Sequence, residues 1–231
     1  QDGGTALWIR SLAAGSAQQL TGTEGAILPF WSPDSRQVGF FQESKLKSVD
    51  PSSGAVQIVC DAPGGAGGAW NNRGTIIFTG YQLDNRPSGD IIGIFKVPAS
   101  GGEPQLATKG KASTAPFWLS ALPDGDHFLF FSNGSSKSAQ KQGIYVGSLS
   151  TQESKLISSE IVGNTQFAYS RLYYVRDRSL MAQSFDLKRL QLTGWPEAVS
   201  RQELEEAPAF SRTGFSVSDN GVVVFQSATE S

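Results

Sequence analysis

The chain has 231 residues, 39% hydrophobic and 17% charged, with a formal net charge of -2. No basic run exceeds a pair, so the electrostatic footprint of a nucleic-acid binder is missing, and no apolar stretch is long enough to span a membrane. The single Cys60 excludes an internal disulfide, and with His127 as the only histidine it also excludes Cys-rich and His-rich metal sites.

From the amino end, "LWIRSLAAGSAQQL" begins at Leu7 and predicts a short strand, a polar reverse turn and a second strand. "LPFWSPDSRQVGFF" follows from Leu28, with the turn Ser32-Pro33-Asp34 between apolar flanks, and "LKSVDPSSGAVQIV" from Leu46 repeats the first pattern. "AWNNRGTIIFTG" from Ala69 and "IFKVPASGGEPQLA" from Ile94 form the next pair. "SALPDGDHFLFFS" from Ser120 and "IYVGSLSTQESKLI" from Ile144 form another. "LMAQSFDLKRLQLT" from Leu180 and "SVSDNGVVVFQS" from Ser216 complete the series. Asp and Asn bond nearby backbone, Pro fixes φ and Gly accepts positive φ, so these polar knots are tight hairpin turns. Helix is excluded because apolar residues alternate or run in short blocks and Gly or Pro interrupts nearly every window. "RQELEEAPAF" from Arg201 is the best helical candidate and predicts a loop or single turn.

Two hairpin series thus interleave. The copies starting at 7, 46, 94, 144 and 180 are separated by 39, 48, 50 and 36 residues. A period near forty with two hairpins in each is the pattern of a four-stranded propeller blade. The fold class is all-β, a β-propeller of four-stranded antiparallel blades in one domain over 1–231. Its full units lie near 22–60, 61–108, 109–158 and 159–200. Residues 5–20 supply two strands at one end. Residues 209–227 supply two at the other, expected at 209–215 and 222–226. Five blades result if these end strands close one blade together, which would remove two open edges and favour a monomer. The start at Gln1 rather than Met, in a polar "QDGGTA", is read as that of an excised piece or processed product, and no secretory signal is visible.

"LPFWSPDSRQVGFFQESKLKSVD", "GIYVGSLSTQESKLI", "LMAQSFDLKRLQLTG" and "FSVSDNGVVVFQS" resemble the WD-like repeats of TolB-type β-propellers. They are most similar to the propellers carried by bacterial serine/threonine protein kinases, C-terminal to the kinase domain. The resemblance runs over about 5 to 227. It implies a ligand- or protein-binding propeller outside the cytoplasm, tethered through a membrane segment to the kinase. Two units depart from the pattern: Asn71-Asn72-Arg73-Gly74 replaces Ser-Pro-Asp-Gly, and the unit reading "FAYSRLYYV" lacks the turn signature. No kinase motif occurs in this chain.

Chemistry-bearing motifs are few. "GGAGGAW", Gly64 to Trp70, lacks the strand-and-helix context of a dinucleotide site and reads as a loop entering a strand. "TKGKAS" from Thr108 has Ala112 where a phosphate loop needs Ser or Thr. His127 has no nucleophile elbow to serve, so a strand histidine is favoured over a catalytic one. Asp34, Asp124 and Asp219 fall in turns, where they can bond backbone amides, although carboxylates converging for glycoside chemistry remain an alternative by fold analogy. No catalytic residue, cofactor or metal is expected.

The aromatics carry the binding expectation. "PFW" occurs at Pro29–Trp31 and Pro116–Trp118, and Trp70 takes the place of Trp31 in its unit. Phe30, Trp31, Trp70, Phe117 and Trp118 are the candidate ligand-binding residues, at the mouth of a channel lined by inner strands; packing between blades is the competing role. The loops 81–90 and 133–142 each fall between the second and third strands of a unit and are further candidates. The expected function is a non-catalytic sensor or scaffold binding a protein, peptide, sugar or other small molecule at one face. The alternative is an enzyme module, either a glycoside-active propeller or the gating propeller of a prolyl-oligopeptidase-like hydrolase.

Overall fold

The computed structural model describes residues 5–13, 15–81, 92–108, 116–134, 140–200, 203–204 and 214–225. Among them every regular element is a strand. The chain divides into two compact units, the first comprising 1–112 with 123–125 and the second 113–122 with 126–231.

The first unit opens with a two-stranded ladder, β1 (Trp8–Ile9) with β2 (Gln18–Gln19). A four-stranded antiparallel meander follows: β3 (Ile27–Trp31), β4 (Val38–Gln42), β5 (Lys45–Val49) and β6 (Val56–Asp61). A second meander contains β7 (Gly68–Trp70), β8 (Thr75–Tyr81), β9 (Ile92–Pro98) and β10 (Gln105–Leu106). Phe41, Leu46 and Val59 of the first meander pack with Ile76, Phe78, Phe95 and Val97 of the second in one core. A smaller core joins Leu7 and Leu20, beside the terminal ladder, to Val38, Phe40 and Val49.

The second unit repeats the plan. β11 (Pro116–Ala121), β12 (His127–Ser132), β13 (Gly143–Ser148) and β14 (Ser154–Ser158) form one meander. β15 (Thr165–Ala168), β16 (Arg171–Arg176), β17 (Ser179–Asp186) and β18 (Gln191–Ala198) form the next. The described chain ends with the ladder β19 (Phe215–Val217) and β20 (Val223–Phe225). Leu129, Phe131, Ile144 and Val146 pack against Leu172, Tyr174, Met181 and Phe185.

The four-stranded sheets run from β3 to β6, β7 to β10, β11 to β14 and β15 to β18. The blocks "GFF", "IIF" and "FLFF" become second strands buried on both faces, because a sheet packed on each side removes any solvated face. Fourth strands such as β6 and β18 are largely exposed, as outer edges are. The strand expected at 209–215 falls almost wholly outside the described residues, and the described ladder begins at Phe215. Most of "RQELEEAPAF" and of the two long loops, 82–91 and 135–139, also lies outside them.

Candidate functional site

In both meanders of the first unit a side-chain oxygen closes the turn between the first two strands. In the first meander Ser32 N donates to Gln37 O at 2.8 Å and Ser35 N to Ser32 O at 2.9 Å. Buried Ser32 donates its hydroxyl to Asp34 Oδ1 at 2.6 Å, and that oxygen also accepts from Arg36 N. The Ser32 hydroxyl, followed by the Arg36 amide, holds the Asp34 carboxyl below its ordinary pKa. Asn71 makes the same closure alone: its Oδ1 accepts from Arg73 N and Thr75 N, and its Nδ2 donates to Gly125 O at 2.8 Å. In the last ladder Ser218 bonds Asn220, so Asn220 rather than Asp219 fills the role of Asp34.

Other carboxylates are engaged in the same way. Asp50 accepts from Ser52 Oγ and the Ser52 amide, and both lower its pKa. Asp186 accepts from Lys188 N and Arg189 N, the latter being the main cause of its lowered pKa. Burial opposes ionisation of Asp126, but hydrogen bonds from Ser148 and Ser150 outweigh it with help from His127, and its pKa is lowered. His127 Nε2 lies 3.7 Å from Asp126 Oδ2. Ser148 bonds Asp126 directly, so the carboxylate occupies the place a triad histidine would need beside the serine. Burial pushes the Cys60 thiol up to about 11, the nearby Asp61 charge adding to it, so it is a poor nucleophile. Among the described residues no three His, Cys, Asp or Glu side chains are grouped to hold a metal ion.

The aromatic candidates separate into different surroundings. Within the first unit β3 lies beside β7, and within the second β11 lies beside β15 and β15 beside β19, which is how inner strands of successive blades meet. Phe30 is half-buried, 6.2 Å from Phe41, with its ring over Gly39 and Gly68. A methyl group at Gly39 would sit 2.4 Å from Phe30 Cζ, so glycine makes room for the ring. Trp70 packs against the same core. Phe117 and Trp118 lie 5.7 Å apart and pack against the core of the second unit, Trp118 being 5.2 Å from Phe131. Trp31 alone among the five is exposed, at 50%.

Register explains part of this difference. Trp31 pairs with Val38 and Trp70 with Ile76, each just before its turn, so these two are equivalent. In the second unit that place belongs to Ala121, paired with Phe128. Trp118 stands three residues earlier, at a bulge between Phe117 and Ser120, with φ of +51°. Its counterpart is Leu28, at φ +53° in the bulge between Ile27 and Phe30. The two "PFW" triplets therefore occupy different phases of their strands. Sequence reasoning also passed over Ile27 and Leu28, exposed by 46% and 39% on β3 beside Trp31; unbroken apolar residues on a first strand were the available signal.

No family model matches the sequence, and no curated protein does. Solved structures share the fold. TolB from Acinetobacter baumannii superposes with a TM-score of 0.63 at 17% identity, over 94% of this chain and 52% of that one. A gluconolactonase from Xanthomonas campestris gives 0.59 at 10%, over 89% and 70%. An oligogalacturonate lyase from Vibrio parahaemolyticus gives 0.54 at 14%, over 89% and 59%. The chain spans about half the length of the A. baumannii TolB it matches. At these identities the likeness establishes the fold, a β-propeller of four-stranded antiparallel blades, and both enzymes and TolB share it.

Proposed function

We propose that the chain is a non-catalytic binding propeller, a sensor or scaffold that receives a ligand on its first strands. The observation that carries this reading is the exposure of the apolar Ile27, Leu28 and Trp31 on β3, in a chain whose turn carboxylates are held by hydroxyls and amides. Acids fixed as acceptors, with lowered pKa values, are poorly suited to general-acid work at neutral pH. An exposed apolar strip suits a partner. In this reading Trp31 makes the contact, while Phe30 and Trp70 pack on the core of the first unit and Phe117 and Trp118 on that of the second. We further propose that the chain belongs to a larger bacterial protein, a membrane-tethered serine/threonine kinase with this part outside the cytoplasm, on the repeat resemblance described above. In this reading the propeller is one domain of five blades, with 5–20 and 209–227 sharing one, and is a monomer.

The deciding experiment is a turnover assay of the chain on glucono-lactone, trigalacturonate and chromogenic glycosides and esters. Rates equal to the uncatalysed background are expected. Turnover that disappears when a pair of carboxylates is replaced would overturn the binding role in favour of an enzyme. For the kinase link, the sequence encoded upstream of Gln1 should contain a kinase domain and then a membrane helix.

A further inference from the structure

Asn-Gly occurs twice in the chain, at Asn133-Gly134 and Asn220-Gly221. In such a pair the glycine nitrogen can close on the asparagine Cγ, because no Cβ stands in its way. The structure treats the two pairs differently. Asn220 lies in the turn between β19 and β20, where Ser218 donates its hydroxyl to Asn220 Oδ1 and accepts from Val222 N. Gly221 N donates to Ser218 O at 3.0 Å, so the amide to be attacked and the attacking nitrogen are both tied to Ser218. Asn133 follows β12, half-buried, and its side-chain amide makes no hydrogen bond among the described residues. Gly134 N donates to the rotatable Ser132 hydroxyl at 3.2 Å. Gly134 itself is fixed: its φ is +70°, and a Cβ there would lie 2.6 Å from Gln142 N and 2.9 Å from Gln140 O.

We propose that Asn133 is a self-modifying position, deamidating to aspartate and isoaspartate in the native fold, while Asn220 is preserved by its turn. Gly134 N loses its proton and bonds Asn133 Cγ; the Cγ–Nδ2 bond breaks and ammonia leaves, taking that proton. Water then opens the resulting succinimide at either carbonyl. Opening at one restores the main chain with an aspartate. Opening at the other carries the main chain through Cγ and lengthens it by a methylene. One water enters and one ammonia leaves, with no oxidation or reduction. The change falls where the chain leaves the sheet, since Ser132 paired with Gly143 is the last step of the β12–β13 ladder. Ser132 is buried there, and the backbone at Gln140 and Gln142 lies against Gly134. A longer main chain at this point has to displace packed backbone, and an aspartate adds a negative charge. The proposal is independent of the binding role above, although it falls at the base of a loop that the repeat pattern marks as a binding candidate.

The test is ageing of the full chain in mildly alkaline buffer, with and without denaturant, followed by peptide mass mapping and enzymatic methylation of isoaspartate. In the folded chain Asn133 is expected to react roughly tenfold faster than Asn220, because Asn220 must first open a turn whose hydrogen bonds are worth about that factor. In denaturant the two rates should converge. Ser218→Ala should speed the loss of Asn220 and leave Asn133 unchanged, and Asn133→Gln should remove the isoaspartate signal from the folded chain. Equal rates in the folded chain, or loss of Asn220 ahead of Asn133, overturns the proposal. So does an Asn133 amide that persists in the folded chain while the denatured chain loses it. A Ser218→Ala chain in which Asn220 reacts no faster overturns the protection assigned to the turn.

Discussion

A methyl group on Gly39 would press into the Phe30 ring, and Gly68 on the neighbouring strand is bounded by the same ring. Gly39→Ala should therefore cost about 2 kcal/mol by overpacking. In a Phe30→Leu background the same change should cost markedly less. The check is a double-mutant cycle on denaturant midpoints, and additive costs would contradict the contact. Carboxylates make the second prediction at this scale. Asp34, Asp50, Asp126 and Asp186 all have folded pKa values below their ordinary ones. Lowered folded values mean their contribution is present above the unfolded pKa near 3.9 and lost as pH falls through the folded values. Thermal midpoints should hold on descent to about pH 4 and fall below it. Asp126, tied to Ser148 and Ser150, is the residue to remove: Asp126→Ala should lose about 2 kcal/mol at neutral pH and make the acid fall shallower.

At the scale of the element, three hairpins turn on two non-glycine residues with both φ values positive: Glu43-Ser44, Tyr169-Ser170 and Asp177-Arg178. That is type I′ geometry, which matches strand twist but strains residues with a Cβ. Ser44→Gly and Ser170→Gly should each stabilise by about 0.5–1 kcal/mol, read as a raised midpoint in denaturant. These turns also show where the sequence was mute. The unit "FAYSRLYYV" carried no Pro, Asn or Gly to mark its turn, because two residues suffice there and tertiary packing supplies the φ that the side chains resist. The Ser32, Asn71 and Ser218 turns were legible, because a side-chain oxygen closing on nearby amides leaves a mark in residue type. The site was half legible. Strand placement of all five aromatics followed from pattern, but the shift of Trp118 by a bulge did not, since a bulge is defined by register and not composition. Nor could residue type separate exposed Trp31 from half-buried Trp70 at the same strand position.

For the whole molecule, the period near forty carried the fold, and the superposition on TolB covers 94% of this chain despite 17% identity. A propeller needs bulky apolar residues on central strands and tight turns at a fixed interval, and many sequences satisfy that. Recognition chemistry has no such redundancy, which is why architecture was readable and the ligand was not. If the chain is a five-bladed monomer, sedimentation should give one species independent of concentration, and heat should give one cooperative transition. Dimers that dissociate on dilution would point to open edges instead.

Gln166 on β15 gives the last unit an attachment that no strand ladder provides. Its Oε1 accepts from Val217 N at 2.7 Å and its Nε2 approaches Phe215 O at 3.5 Å. One side-chain amide thus stands in for a peptide group and extends main-chain pairing sideways from β15 to β19. Tension applied to the carboxyl end would reach the preceding sheet through this clip, loading both bonds together rather than peeling them in turn. Whatever pulls on that end would therefore load this clip together with the apolar contacts of Phe215, Val217, Val223 and Phe225 on the same core.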